Sequence, residues 1–265
     1  MRSTLRMTFR LGRAGLHLAW AVGVAAIAYP LIGDALRRKL KQRWSRQLLS
    51  MLGVRLDAAW QAGPLRGLLV ANHISWLDIY VINALSPAVF ICKAEVRAWP
   101  VIGWLCAKTG TVFIERGSAS AARRANEALT GHLGSNRVVA AFPEGTTSDG
   151  MALLPFRSAL LQAAIDAQSV VQPIALSYLD ATGRRTPVAA YCGDVTLWQS
   201  LCDIASAPGL TVRAEVLPPL SSLGRTRREL GEHAQHLIGT ALGRLAPSCA
   251  AHGAGALASP VEALA

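Results

Sequence analysis

The 265-residue chain is poor in charge, and poorest in acid: 16% of its residues are charged, and 27 bases stand against 16 acids. An average globular domain carries about a quarter charged residues. The five cysteines (Cys92, Cys106, Cys192, Cys202, Cys249) contain no Cys-x-x-Cys pair. Their odd number and wide spacing exclude a disulfide framework and a zinc site, and fit a reducing compartment. The chain has no Gly-x-Ser-x-Gly turn and no Gly-x4-Gly-Lys-Ser/Thr loop, so neither a serine-nucleophile elbow nor a nucleotide P-loop is present. It also lacks an internal repeat. A single uncharged stretch reaches spanning length, which argues against a multi-span transporter. Against these absences stands a 52% hydrophobic content, too high for whole-chain disorder and ample for a core.

The net charge of +11 points to an anionic partner, and its location narrows the choice. Residues 1–46 hold ten bases and one acid, a net +9, whereas the remaining 219 residues hold 17 bases and 15 acids, a net +2. A nucleic-acid reader would carry its basic face on the folded domain, and no zinc-finger, zipper or aromatic-basic motif occurs, so no nucleic-acid partner is expected. Ala14–Gly33 is uncharged for 20 residues, about 30 Å as a helix. Ala35–Gly53 predicts a second helix, cationic in its first half and apolar at Leu48, Leu49, Met51 and Leu52. A cleaved leader, a spanning helix and a helical pair lying in the membrane plane all fit. Six bases just beyond the small-residue site at Ala26–Ala28 disfavour export, and the basic pair suits an anionic surface. The expected division is an anchor over 1–53, a catalytic body over 54–246 and a flexible tail over 247–265.

From Val54 onward, apolar runs alternate with helical patterns, which predicts an α/β layered domain. Expected strands are Gly67–Asn72, Ala88–Lys93, Gly110–Ile114, Arg137–Phe142, Val171–Tyr178, Val188–Cys192 and Leu210–Leu217. Expected helices are Trp76–Leu85, Pro100–Lys108, Ser120–Leu133, Phe156–Ala167, Leu197–Ala205 and Thr226–Leu245. Chemistry in such folds collects where strands end. Three strand ends carry polar constellations. After Leu68–Ala71 comes Asn72-His73-Ile74-Ser75-Trp76-Leu77-Asp78. His73 and Asp78 do not share a helical face, but meet if His73 ends the strand and Asp78 opens the next helix, with Ser75 as a candidate N-cap. That pairing suits a base and its orienter. After Val112–Ile114 comes Glu115-Arg116-Gly117, where a guanidinium fork can hold a phosphate or carboxylate, or simply pair with the adjacent acid. After Arg137–Ala141 comes Phe142-Pro143-Glu144-Gly145-Thr146-Thr147-Ser148, a glycine turn rich in hydroxyl and amide donors.

In this order, these blocks resemble the glycerolipid acyltransferases of the lysophosphatidic-acid acyltransferase type. The resemblance rests on His73-x4-Asp78, Phe113-Ile114-Glu115-Arg116, Phe142-Pro143-Glu144-Gly145-Thr146 and Val171-Gln172-Pro173-Ile174, and covers roughly residues 54–220. It implies a mixed central sheet of about seven strands flanked by helices. It implies that His73 deprotonates an acceptor hydroxyl, that Asp78 orients it, and that Arg116 holds the acceptor's phosphate. Glu144, Gly145 and Thr146 would position the glycerol and phosphate end, and Lys93 matches a basic position of the family. Pro173 is structural or contacts the acyl chain.

The activity so implied moves a fatty acyl group from acyl-CoA or acyl carrier protein to the sn-2 hydroxyl of 1-acyl-glycerol-3-phosphate, giving phosphatidic acid. No other cofactor and no metal is expected. The expected location is the cytoplasmic face of the inner membrane, against anionic lipid. One position departs from the pattern. Many relatives carry Arg after Glu-Gly-Thr where this chain has Thr147, which leaves open another lysolipid acceptor, such as lyso-ornithine lipid.

Overall fold

A computed structural model describes residues 2–61, 63–114 and 119–244. The expected tail at 247–265 lies outside these residues. The chain begins with α1 (Arg2–Gly23), which runs on through a π-helical turn (Val24–Ala28) and a 3-10 turn (Tyr29–Leu31). It continues through α2 (Asp34–Leu52), β1 (Val54–Trp60), β2 (Leu68–Ala71), α3 (Asp78–Leu85), β3 (Val89–Lys93), α4 (Ile102–Lys108) and β4 (Val112–Ile114). The remainder is α5 (Ala119–Gly134), β5 (Val139–Ala141), α6 (Gln162–Asp166), β6 (Val171–Leu179), α7 (Leu197–Ser206), β7 (Leu210–Val216) and α8 (Arg227–Gly243).

The seven strands form one mixed sheet in the order β1-β7-β6-β2-β5-β3-β4. From β6 to β4 all neighbours are parallel; β7 runs antiparallel to β6, and β1 runs parallel to β7. The apolar runs are continuous because both faces of the sheet are covered. On one face Leu69, Ala71, Ile174 and Leu176 pack with Leu48, Leu49 and Leu52 of α2, Val81 and Ile82 of α3, and Ile204 of α7. On the other, Leu68, Val70, Val139 and Val171 pack with Leu129 and Leu133 of α5, Ala163 and Ala164 of α6, and Leu230 and Ala234 of α8.

Two strand assignments change. β1 pairs in register with β7 from Val54↔Leu210 to Trp60↔Val216, yet its sequence alternates with Arg55 and Asp57. It is an edge strand with one solvated face, so it shows no apolar run. Val188–Cys192 is not a strand. Pro187 opens a 3-10 turn (Pro187–Ala189), and the Thr186 hydroxyl accepts the Val188 N–H. Proline's fixed φ suits the first position of such a turn and starts the segment helically, not extended.

The N-terminal pair is tied to the body through its cations. Arg10 donates to the carbonyls of Ala205 (3.1 Å) and Ala207 (2.7 Å), and Arg6 to that of Ser206 (3.1 Å), all at the C-terminal end of α7. Arg46 donates to the Ala84 carbonyl (2.8 Å) and Gln42 to that of Leu85 (2.8 Å), at the end of α3. Helix C-termini leave unpaired carbonyls and a partial negative charge, so the three arginines, joined by the neutral Gln42 amide, cap helices of the body. Arg38, Lys39 and Arg43 remain exposed. The Ser3–Leu31 stretch is long and apolar enough to cross a membrane, by length and composition, and most of it is unburied.

The α2–β1 junction depends on Gly53, whose φ is +79° and whose missing Cβ leaves room for the Arg10 guanidinium. Gly53→Ala is expected to cost about 2 kcal/mol or more, from left-handed strain plus displacement of Arg10. In an Arg10→Ala background the same substitution should cost measurably less. A double-mutant cycle by denaturant titration checks this, and strict additivity would refute the Arg10–Gly53 coupling.

Candidate active site

The parallel order β6-β2-β5-β3-β4 brings the C-terminal ends of these strands to one edge of the sheet, where open α/β sheets form their crevice. At the end of β2 the ladder is completed by a side chain. The Asn72 amide donates to the Leu176 carbonyl (2.9 Å) and accepts the Leu176 N–H (2.8 Å). This ends the strand sharply and releases His73 into the loop.

His73 and Asp78 meet as their spacing suggested: His73 Nδ1 lies 2.9 Å from Asp78 Oδ2. The same oxygen accepts the N–H groups of Ile74 (2.7 Å) and Ser75 (2.8 Å), and Oδ1 accepts the Tyr178 hydroxyl (2.7 Å). Asp78 is fully buried, while the His73 side chain keeps 18% of its surface. The acceptor-only carboxylate places the proton on Nδ1, leaving Nε2 as the basic nitrogen. The His73 ring stacks flat on Phe142, centroids 3.9 Å apart and planes within 6°. Ser75 is not the N-cap of α3, which starts at Asp78 after Leu77. The Asp78 carboxylate instead bonds back to the loop amides, and Ser75 Oγ accepts the Leu77 N–H at 3.3 Å.

The turn after β5 closes over this loop. Glu144 is 3% exposed, and its Oε1 accepts the His73 backbone N–H at 2.9 Å. Burial pushes its carboxyl up to about 7, opposed by the backbone N–H groups of His73 and Leu154. Gly145 holds φ +72°. The Ser148 N–H returns to the His73 carbonyl at 2.9 Å. Thr146 is exposed at the same turn. Thr147 is turned away from it, its hydroxyl donating to the Tyr191 carbonyl. The Tyr191 N–H in turn donates to the Ile74 carbonyl at 2.9 Å, so residues 187–192 strap the His73 loop.

Arg116 lies outside the described residues. Lys93 is the last residue of β3, adjacent in the sheet to β5 and β4. Pro173 is the third residue of β6, in the middle of the strand order, and pairs with Val70, one residue before the end of β2. Two residues escaped the sequence reading. Tyr178 is buried in β6, and its hydroxyl holds Asp78 across 100 residues of sequence, which no local pattern reveals. Arg157 follows Pro155-Phe156, and its backbone N–H donates to the Pro143 carbonyl at 2.8 Å. A Cβ on Gly145 would lie 3.4 Å from the Arg157 guanidinium. That exposed cation has no ion pair among the described residues. Its signal was a lone base after an apolar run, on the chain leaving the glycine turn.

A cavity of about 790 Å³, open solvent at its mouth included, adjoins the site. Trp20, Val24, Tyr29, Tyr80, Phe90 and Leu105 are among its mainly apolar lining residues. Phe90 packs on Phe142 with centroids 6.2 Å apart, so two rings separate this cavity from His73.

The buried Glu144 has a pH signature. A carboxyl raised in the fold contributes stability that is complete below its unfolded value, near 4.5, and is lost as pH rises through about 7. Glu144→Gln should therefore gain on the native protein between pH 5 and pH 8, by up to about 3 kcal/mol. Paired melting curves across that range check it; a constant gap would refute the burial argument.

Residues 61–177 match the family model described as Acyltransferase, spanning all four blocks. The chain is 37% identical over 251 residues to the lyso-ornithine lipid O-acyltransferase of Pseudomonas aeruginosa, covering 94% of this chain and 96% of that protein. It is 42% identical over 172 residues to the 1-acyl-sn-glycerol-3-phosphate acyltransferase of Neisseria meningitidis, covering 64% of this chain and 67% of that protein. The crystal structure of the 1-acyl-sn-glycerophosphate (LPA) acyltransferase PlsC from Thermotoga maritima shares the fold. Its TM-score is 0.70 at 21% identity, covering 92% of this chain and 96% of that one. The mixed sheet, the ordered blocks and the near full-length likeness agree: this chain belongs to the PlsC-like family of acyltransferases, enzymes that transfer acyl groups.

Proposed function

We propose that this acyltransferase works at a membrane surface, moving a fatty acyl group from an acyl thioester to the hydroxyl of a lysolipid. The thioester is acyl-CoA or acyl-acyl carrier protein. The supporting observation is the His73–Asp78–Tyr178 array at the end of β2, with Nδ1 committed to the carboxylate and Nε2 left as base. His73 Nε2 accepts the hydroxyl proton as the acceptor oxygen attacks the thioester carbonyl carbon. The C–S bond breaks, and the departing thiolate takes the proton back from Nε2. No acyl-enzyme forms. Asp78 holds the tautomer and stabilises the imidazolium. Glu144 acts as a positioning residue through the His73 backbone N–H.

For the acceptor we propose 1-acyl-glycerol-3-phosphate, giving phosphatidic acid for phospholipid synthesis. Arg116 grips the phosphate, helped by Lys93 and by Gly145 and Thr146 at the turn. Arg157 beside Gly145 supplies a guanidinium in the region where the family's common Arg is replaced by Thr147. A second acceptor, lyso-ornithine lipid, is favoured by that replacement and by the near full-length likeness to an enzyme named for it. A guanidinium fork suits either a phosphate or an amino-acid carboxylate. The cavity behind Phe90 is apolar enough for an acyl chain. Exposed Arg38, Lys39 and Arg43 of α2 set the pair against anionic lipid, on the cytoplasmic side of the inner membrane.

His73→Ala should lower acyl transfer by about 10²–10⁴-fold with the fold retained. Full activity in the purified variant would end the mechanism. Arg116→Ala and Arg157→Gln should each raise the apparent KM for the acceptor more than they lower kcat. Competing labelled lysophosphatidic acid and lyso-ornithine lipid identifies the acceptor. Unchanged acceptor KM in both variants would remove their assigned role.

A further inference from the structure

The segment between β3 and β4 does something costly. The Ile102 N–H donates to the Pro100 carbonyl at 2.6 Å, closing a three-residue γ-turn around Val101. Val101 sits at φ 62°, ψ −56°. This is the rare, positive-φ form of the turn, and a β-branched residue is the least suited to it. Such a conformation costs on the order of 1–3 kcal/mol and persists only where the surroundings impose it. Here they do. Gly103 packs so closely on the preceding 3-10 turn (Ala94–Ala98) that a Cβ would overlap the Arg97 carbonyl.

What the strain achieves is outward display. Trp99, Val101 and Trp104 are 44%, 46% and 37% exposed within six residues. The turn is supported from within by the Gly103 packing and by the Leu105 N–H on the Val101 carbonyl at 2.9 Å, but burying the Val101 side chain would have recovered apolar area at about 25 cal/mol per Å², and its outward display forgoes that. The display continues that of α1. Trp20, Val24 and Ala25 line one side of the apolar cavity, and Ile102, Leu105 and Cys106 line another. Trp20 and Ile27 are themselves exposed on the α1 side. The segment's charge is also suited to lipid. Exposed Arg97 and Lys108 flank it, Glu95 is its one acid, and Lys108 lies 5.8 Å from the Trp104 ring centroid. Tryptophans with snorkelling bases are the composition of a bilayer interface.

We propose that Trp99–Trp104 is a second membrane-inserting element. It seats in the headgroup–acyl boundary of an anionic bilayer and, with the Trp20–Ile27 stretch, forms the two lips of the cavity. This rests on the proposed action on a membrane lipid. It adds that the body, and not the N-terminal pair alone, enters the bilayer. The orientation of the site edge is then fixed by two separated insertions.

The test uses the full chain and vesicles of phosphatidylethanolamine with a minority of phosphatidylglycerol. In Trp99→Gln/Trp104→Gln, vesicle partitioning by flotation should fall by about tenfold per residue, and quenching by brominated lipid should drop. Turnover of a short-chain, monomeric acceptor should stay unchanged. Val101→Gly separates display from packing. It relieves the turn and should raise Tm by about 2–4 °C while weakening vesicle binding. A fall in Tm with unchanged binding would overturn the proposal, as would unchanged partitioning of the folded double variant. A wild-type dimer that dissociates on substitution, with vesicle binding intact, would assign the patch to a second copy and also overturn it. If the double variant does not fold, Val101→Gly decides alone. A wild-type protein that floats but transfers no acyl group fails the functional reading only. One that transfers normally while the variants float normally fails this inference only.

Discussion

The strand-end edge that carries His73 depends on one buried carboxylate. Asp78 has no solvent and no full counter-ion, a state that costs several kcal/mol unless every lone pair is used. It is used by four donors: His73 Nδ1, the amides of Ile74 and Ser75, and the Tyr178 hydroxyl. These come from the end of β2, the loop and the distant β6. The carboxylate therefore cannot be satisfied unless the central strands are in register, and once satisfied it fixes the imidazole's tautomer and its tilt. Phe142 supplies the remaining constraint, a flat ring that prevents His73 from turning about its bond to Asp78. Folding and the fixing of the imidazole are therefore tied to the same contacts.

The N-terminal pair belongs to the same network. Arg6 and Arg10 of α1 cap α7, and Ser200 of α7 accepts the Trp76 indole N–H at 3.0 Å, two residues before Asp78. α2 caps α3, the helix Asp78 opens. Charge that the composition assigned wholly to a surface is thus divided. Part neutralises helix ends and locks the pair onto the body; the exposed remainder is available to a lipid surface. A pair locked in this way transmits its orientation to the His73 loop through α7 and α3, which a tethered anchor would not do.

Most of the architecture was legible because its causes are local. Doubly buried strands such as Leu68–Ala71 read as apolar runs, and the His73–Asp78 pairing followed from a strand end and a helix start. The failures share a cause as well. β1 is stabilised by its register with β7, a long-range pairing that an alternating edge sequence does not declare. Val188–Cys192 has strand composition but Pro187 in front of it, and its real work is to strap the loop through Tyr191. Ser75 looked like the cap of α3, but the helix starts three residues on, and Ser75 Oγ reaches only the Leu77 N–H of the loop while Asp78 takes the amides of Ile74 and Ser75. Tyr178 and Arg157 reach the site from 100 and 13 residues away from Asp78 and Glu144, so only the folded chain reveals them.

The Thr147 position acquires a different meaning in this frame. Read along the sequence, it is a lost cation next to the headgroup. In the fold its hydroxyl is spent on the Tyr191 carbonyl, and so holds the strap that covers the His73 loop. An arginine there would have to abandon that bond to reach a ligand. Arg157, rising from the chain that leaves the turn, brings charge to Gly145 without disturbing the strap. The Arg157 backbone is itself tied to the turn through the Pro143 carbonyl, so its guanidinium is held at Gly145 whatever the strap does. The charge at the glycine turn and the cover over the His73 loop are thus supplied by two different residues, Arg157 and Thr147, and do not compete for one position.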